Sequence, residues 1–516
     1  MSWTEVSPDL TRDEKDKHGP GGGPYTNEAA GGENYNTITA LMESQHEQGV
    51  LYAGTDDGLL HITRNGGQNW SNITPPGIND GIINSIDISQ HDPATAYVVV
   101  MRYKSQDLSS YVFKTTDYGQ SWTKIVNGLD DPNGFMRVVR ADKNRKGLLY
   151  GGTETGLYIS FNDGKNWQRF DLNLPVVAIN DLYIRQNDLI AATSGRAFWI
   201  LDDLSPLQQL DMNNQSFQIF KPKDSYRIFN GVSRAVGQGT NPRSGVTFDY
   251  YIDKPADTLD LKLEILKNNK VIRTYSSKRP KGFKSWPGGP PAPQLLPKKQ
   301  GYNRFTWNFL RDDLPAVDKV FVFGGLNGSS VPPGEYSLRL TFGSDISETT
   351  ATVLPNPAID ASAADFNDQQ ELLMSIESTI KEMHESVNKM RSAKAQLNRY
   401  AELLEGNEQA DSLLAKGKDL SKRITQWEEN LIQAKQKTFQ DVINFNNKLN
   451  AQLITLMRYI DQDDPKLTAG ATQRYNDLMA DWNVYKRERD AIIDTEMRQY
   501  NALFKQLDLP ALILKD

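Results

Sequence analysis

The sequence predicts a multidomain chain: a partial β-propeller, then a β-sandwich, then an antiparallel α-helical bundle. Three observations carry this. A short motif ending in tryptophan recurs three times, with Trp-to-Trp spacings of 52 and 45 residues. After Leu210 the repeat stops and a different alternating pattern begins. From Ser362 the apolar period changes from two to steps of three and four. The expected boundaries are 1–212, 213–356 and 357–516.

The motif copies are Thr63-Arg-Asn65-Gly-Gly67-Gln-Asn69-Trp70, Thr115-Thr-Asp117-Tyr-Gly119-Gln-Ser121-Trp122 and Ser160-Phe-Asn162-Asp-Gly164-Lys-Asn166-Trp167. In each, an Asp or Asn side chain can accept backbone N–H bonds inside a tight turn, and the glycine takes a backbone angle other residues resist. The tryptophan buries a large ring where the next strand starts. Two β-rich runs precede each copy: 38–42 with 50–55, 83–88 with 96–101, and 137–141 with 148–153. A fourth pair, 179–184 with 189–193, continues into 197–201 but lacks the motif. Each unit reads as strands A, B and C, the motif turn, then strand D, at a period that belongs to propeller blades.

These motifs resemble the Asp box (BNR repeat) of sialidases, sortilin-type Vps10 domains and two-propeller xyloglucanases. Ser2-Trp3-Thr-Glu-Val matches Ser121-Trp122-Thr-Lys-Ile, the end of a box plus strand D. The expectation is therefore a C-terminal portion of a longer protein, or a ring that a partner fragment completes. The glycine-rich stretch 12–36 joins that strand to the first full blade and reads as a surface or ligand-face loop.

Box residues hold turns and receive no chemistry. B–C and D–A loops share the opposite end of each blade, which makes Asp56, Asp57, Glu154 and Arg196 the candidate ligand face, joined by Asp80, Asp130 and Asp131. Asp56, Asp57 and Glu154 are the weak candidates for catalytic carboxylates, since a pair about 5–10 Å apart could hydrolyse a glycoside. A sialidase would want an arginine cluster and a Tyr–Glu pair. Arg196 alone is placed for that, with Arg102 and Arg137 as poor substitutes. No catalytic residue is assigned.

Composition narrows the remaining classes. The net charge of −7 argues against nucleic acid as the main ligand. There is no cysteine, and the five histidines lack metal-ligand spacing, so no metal and no cofactor are expected. No apolar run is long enough for a spanning helix.

In the second region Gly301-Tyr-Asn303-Arg-Phe305-Thr-Trp307 and Pro333-Gly334-Glu-Tyr336 resemble Ig-like or fibronectin-like modules appended to exported bacterial proteins. Alternation sets Phe305 and Trp307 against Tyr336, Leu338 and Leu340. The third region shows four apolar stripes: Leu373 to Leu404, Leu413 to Leu431, Val442 to Ile460, and Ala471 to Ile492. The first and last are the longest and are expected to pair along their length, the shorter two stacking end to end against them. Residues 357–516 alone are expected to be soluble and helical, with one end of the seam open to a second copy or to the β-sandwich.

This order resembles large exported bacterial proteins with sortilin-like propellers, commonly labelled glycosyl hydrolase; Gly195-Arg196-Ala-Phe-Trp-Ile-Leu-Asp202-Asp203 narrows the resemblance. It implies an exported protein (periplasmic, cell-surface or secreted) whose signal peptide lies on a missing N-terminal part. The chain reads first as a binding or scaffold protein for a protein, peptide or glycan. The alternative is a glycoside hydrolase, sialidase- or xyloglucanase-like. Self-association through blade edges or the helical tail is expected.

Overall fold

The computed structural model describes residues 3–17, 35–211, 217–229 and 243–507. The glycine-rich stretch 18–34 and the boundary at 212–213 lie outside them. The chain divides into two compact units, Met1–Leu210 and Asp211–Asp516.

The first unit is built of propeller-like blades. Blade 1 holds β1 (Ile38–Glu43), β2 (Leu51–Thr55), β3 (Leu60–Thr63) and β4 (Ser71–Asn72). Blade 2 holds β5 (Ile82–Ile88), β6 (Ala96–Arg102), β7 (Asp107–Thr115) and β8 (Thr123–Lys124). Blade 3 holds β9 (Met136–Ala141), β10 (Leu149–Thr153), β11 (Leu157–Ser160) and β12 (Gln168–Arg169). Each is a four-stranded antiparallel meander in chain order. Blade 4 has three strands, β13 (Ile179–Arg185), β14 (Asp188–Thr193) and β15 (Phe198–Leu201), followed by the five-residue helix α1 (Ser205–Gln209).

The first strands lie side by side in the order β1, β5, β9, β13, and each second strand packs on the next blade's first. Two glycines allow this closeness: a Cβ on Gly54 would collide with Ile83, and one on Gly152 with Ile179. The same register break occurs at Ile38/Ala40, Ile83/Ser85 and Ile179/Asp181, so one bulge is repeated where the first strands turn into the blade.

The three motif turns are superimposable in their bonds. Thr63, Thr115 and Ser160 hydroxyls donate to Asn65, Asp117 and Asn162, and accept from the amides of Gly67, Gly119 and Gly164. The same Asn or Asp oxygen accepts the amides of Asn69, Ser121 and Asn166 at 2.9–3.0 Å. Each tryptophan then reaches backwards. Trp122 Nε1 donates to Ile73 O of blade 1 (2.7 Å), and Trp167 Nε1 to Ile125 O of blade 2 (2.9 Å). Trp70 Nε1 donates to Val6 O (2.9 Å). Ile73, Ile125 and Val6 each stand three residues after a tryptophan, so residues 3–6 occupy the place of a strand D before blade 1. These three residues also explain the motif glycines, whose positive φ is compulsory and whose missing Cβ would strike Val6, Ile73 or Ile125.

In the second unit, β16 (Phe217–Ile219), β18 (Val246–Ile252) and β21 (Gly301–Trp307) form one sheet. A second sheet runs β17 (Ser225–Tyr226), β23 (Asp345–Leu354), β22 (Gly334–Phe342), β19 (Leu261–Lys267) and β20 (Lys270–Ser276). Their inner faces share one core, where the Trp307 and Tyr336 rings meet edge to face at 5.2 Å.

The helices are α2 (Ala363–Leu403), α3 (Asp411–Leu431), α4 (Leu449–Ile460), α5 (Ala469–Ala491) and α6 (Arg498–Gln506), the last two joined by a π-turn at Ile492–Met497. Three details depart from the sequence reading. The third helix begins at Leu449, so Val442 and Phe445 lie outside it. A Thr438–Asp441 capping box closes a 3-10 turn there, and Asn444, Asn446 and Asn447 follow, residues that favour turns over helix. Secondly, α2 makes its close backbone approaches to α3 and α4. It meets α5 through long side chains, Glu382 bonding Lys486 and Arg489 (both 2.9 Å). Thirdly, the helical core recruits Leu314, Val317, Val320, Val322 and Leu326 from the segment between β21 and β22.

Candidate ligand face and central channel

The antiparallel pairing puts the B–C loops at the end of each blade opposite its motif turn, so Asp56, Asp57, Glu154 and Arg196 share an end. Their side chains have separate tasks. Asp57 is fully buried and accepts from Thr55 Oγ1 (2.5 Å), Arg12 N (2.7 Å) and Asn36 Nδ2 (2.5 Å). Asp56 accepts from Thr37 N (2.8 Å) and Thr37 Oγ1 (3.2 Å), fixing the entry to β1. Glu154 stands 3.2 Å from Arg137 Nε, an ionic contact whose angles fall outside hydrogen bonding. Arg196 is exposed and turns back on Gly195 O.

Two of the three D–A carboxylates, Asp80 and Asp131, are likewise engaged, while Asp130 is exposed. Asp80 pairs with Arg102 (2.6 Å), which also holds Asp107 (2.9 Å) and so pins the blade 2 insert, residues 102–110 around the connection of β6 to β7. Asp131 accepts from Thr155 Oγ1 (2.6 Å) and Asn133 N (2.9 Å). Those bonds hold its carboxyl below the usual range. A polar groove of about 660 Å³ runs beside the insert, floored by Asp107, Lys124, Asp130 and Asp131. It includes none of the four candidate ligand-face residues.

A different set converges on the axis. Met42, Asp87, Arg140 and Tyr183 are equivalent positions of the four first strands, each one row from the shared bulge. With Glu43 and Lys143 they line a cavity of about 240 Å³. Asp87 accepts from Ala141 N (2.8 Å), while Arg140 donates to Leu182 O (2.8 Å) and pairs with Asp181 (2.7 Å). Crowding by the surrounding strands pushes the Asp87 carboxyl up to about 6, although Arg140 and Lys143 pull the other way. The sequence reading did not single out this set. Its signal was available in the repeat: aligned at the bulge, one position carries Met, Asp, Arg and Tyr where the preceding one stays aliphatic (Leu41, Ile86, Val139 and Leu182).

At the motif end the chemistry is that of a turn. Bonds from Ser121 and Thr115 hold the Asp117 carboxyl down at about 2. Among the described residues no group of three His, Asp or Glu is placed to hold a metal ion, and no helix is long and apolar enough to cross a membrane.

Blades, backward clasps and axial cavity define a propeller-type repeat protein. No family model and no curated protein matches the chain. Similar solved structures include YCF48 bound to D1 peptide, 24% identical over 32% of this chain and 51% of that one, TM-score 0.26. The GH74 xyloglucanase from Xanthomonas campestris is 12% identical over 46% and 36%, TM-score 0.27. The Niastella koreensis GH74 enzyme is 12% identical over 61% and 45%, TM-score 0.27. The chain thus spans about half or less of the length of these proteins. The blade assignment rests on this chain's own sheets.

Proposed function

We propose that this is an exported binding or scaffold protein, whose propeller presents its B–C and D–A loops to a protein, peptide or glycan. One observation carries the reading: four of the loop-end carboxylates, Asp56, Asp57, Asp80 and Asp131, are held by their own scaffold. Asp57 has three donors, Asp56 two, and Asp80 and Asp131 hold neighbouring loops. General acid–base chemistry on a glycoside needs a carboxyl free to reach the bond. On this reading the motifs are Asp boxes of the sortilin-like type. The region 213–356 serves as an Ig-like spacer, and 357–516 as an antiparallel bundle.

The test is a glycan and peptide array probed with the whole chain, run beside polysaccharide hydrolysis assays. Saturable binding without product is the expected result. Turnover abolished by Asp56→Asn or Glu154→Gln, with circular dichroism unchanged, replaces the binding reading with a glycoside hydrolase.

A further inference from the structure

Blade 2 departs from its two neighbours at the loop end of its third strand. In blades 1 and 3 that strand, β3 or β11, is four residues long, and the last backbone bond from strand D closes on its first residue. Ile73 N donates to Leu60 O and Phe170 N to Leu157 O, both at 2.8 Å. The amide of that first residue is capped by the side chain one position further on, Thr74 Oγ1 for Leu60 (2.9 Å) and Asp171 Oδ1 for Leu157 (2.8 Å). The donor and the acceptor at the strand end are both used, and the pairing edge stops there.

In blade 2 the same bond runs from Ile125 N to Val112 O (2.9 Å), but Val112 is the sixth of the nine residues of β7. Asp107–Tyr111 lie beyond it, held to β6 through Val100 and Arg102. β8 reaches only Phe113 and Lys114, so among the described residues no strand covers the outer side of Asp107–Tyr111. The cap is missing too: Val126 stands where Thr74 and Asp171 stand, and valine has no acceptor. Alternation from Val112 O turns the carbonyl of Ser110 to the same open side. The groove of about 660 Å³ follows this side, lined by Leu108 and Ser110 from the strand and by Leu129, Asp130 and Asp131 from the D–A loop.

We propose that this groove takes an extended, basic peptide segment, added to β7 as a further strand of blade 2. The site rests on the binding reading above, which it narrows to one groove and one class of ligand. An open strand edge is a row of unpaired backbone groups, a template for another chain. Strand addition draws affinity from those main-chain bonds and selectivity from alternate side chains. Five open residues make an edge of about 17 Å. A glycan carries no amide ladder and gains nothing from it. Charge decides the kind of peptide: the lining sets Asp107, Asp130 and Asp131 against Lys124, whose ammonium lies over the Tyr111 ring at 4.0 Å. Asp130 is exposed and meets a lysine or arginine, while Leu108, 40% exposed, gives an apolar side chain its footing.

The test uses the whole chain and a capped, fluorescent peptide of alternating lysine and valine. Saturable binding is expected at low salt, weakening as salt rises. Hydrogen exchange should slow at residues 107–112 when the peptide is bound. N-methylation of one alternate set of peptide amides should abolish binding, and methylation of the other set, which points away from β7, should leave it nearly unchanged. Glutamate in place of the lysines should abolish it as well. Asp130→Lys, on an exposed side chain, should weaken binding by about three- to tenfold with unchanged circular dichroism. Protection at other residues, indifference to which set is methylated, equal affinity for the glutamate peptide, or indifference to Asp130→Lys overturns the proposal. A chain that ignores this peptide but binds saturably on the glycan and peptide array loses this groove and keeps the binding reading. Silence on the array as well removes both.

Discussion

Arg227 Nη2 stands 3.3 Å from Asp461 Oδ1, joining the turn after β17 to the end of α4 with the arginine side chain only 1% exposed. Arg227 also donates to Val331 O (3.0 Å), Ser330 Oγ (2.7 Å) and Gln462 O (3.0 Å), while Asp461 accepts the amide of Ser330 (2.8 Å). Sheets and helices of the second unit are therefore fastened by one buried ionic knot. Removing one partner leaves the other's charge desolvated and uncompensated. Asp461→Ala and Arg227→Met, each of which strands the other's charge, are each expected to cost about 3–5 kcal/mol in urea unfolding of this unit, and the double variant markedly less than their sum.

The same unit predicts how the helices behave alone. Leu314, Val317, Val320, Val322 and Leu326 belong to the helical core, Trp286 Nε1 ties to Val320 O (2.7 Å), and Phe323 stacks on Phe439. A fragment of residues 357–516 loses all of these. It is expected to stay helical but to unfold at lower urea than residues 211–516, and to bind a hydrophobic dye that the longer fragment does not. Equal midpoints would show that the segment contributes nothing.

Asp57 is expected to behave as a scaffold residue. It is the shared acceptor for Thr55, Arg12 and Asn36, so Asp57→Ala removes the bonds that hold the 12 and 36 positions to this loop, at about 1–3 kcal/mol for the buried Thr55 hydroxyl before relaxation. The expected signature is a lower melting temperature together with new protease cleavage between residues 7 and 36. Unchanged stability with lost ligand binding would move Asp57 to the ligand instead.

Asp87 makes a pH prediction whose direction follows from its burial. Its folded pKa, about 6, lies above the ordinary 3.8. The folded chain then binds the proton more tightly than the unfolded one. This group's contribution to stability is fully present below about pH 4 and is lost as pH rises through about 6. Asp87→Asn keeps an oxygen for the Ala141 amide and removes the titration. Its unfolding midpoint should gain on the native chain's as pH rises from 4 to 7. A constant difference across that range would contradict the prediction.

What was legible in the sequence was what the repeat encodes locally. Strands 38–43, 82–88, 136–141 and 179–185 follow from alternation beside a turn with its own internal bonds. The role of each motif tryptophan was half visible: the ring could be read, but its acceptor stands 42–64 residues earlier. Asp57 looked like an exposed turn residue because Arg12 and Asn36, which bury it, lie 45 and 21 residues away. The axial set was hidden for another reason. Met42, Asp87, Arg140 and Tyr183 share no chemistry, and only their common register joins them.

The clasps themselves invite a measurement. Trp122→Phe keeps an aromatic six-membered ring but deletes the indole's N–H with its five-membered ring, leaving Ile73 O without its donor. A loss of about 0.5–1.5 kcal/mol is expected, larger if the carbonyl finds no water. Hydrogen exchange should localise the change to blades 1 and 2. Spread of the effect into blade 4 would mean that the blades do not couple through nearest neighbours.

Every one of these tryptophans reaches toward residues already translated, never toward those still to come. On the ribosome, where the earlier part of a chain folds first, a newly emerged blade therefore finds its anchor waiting. Had the direction been reversed, each indole would hang unsatisfied until another forty-odd residues had been synthesised. Assembly in reading order is thus written into which neighbour each tryptophan holds.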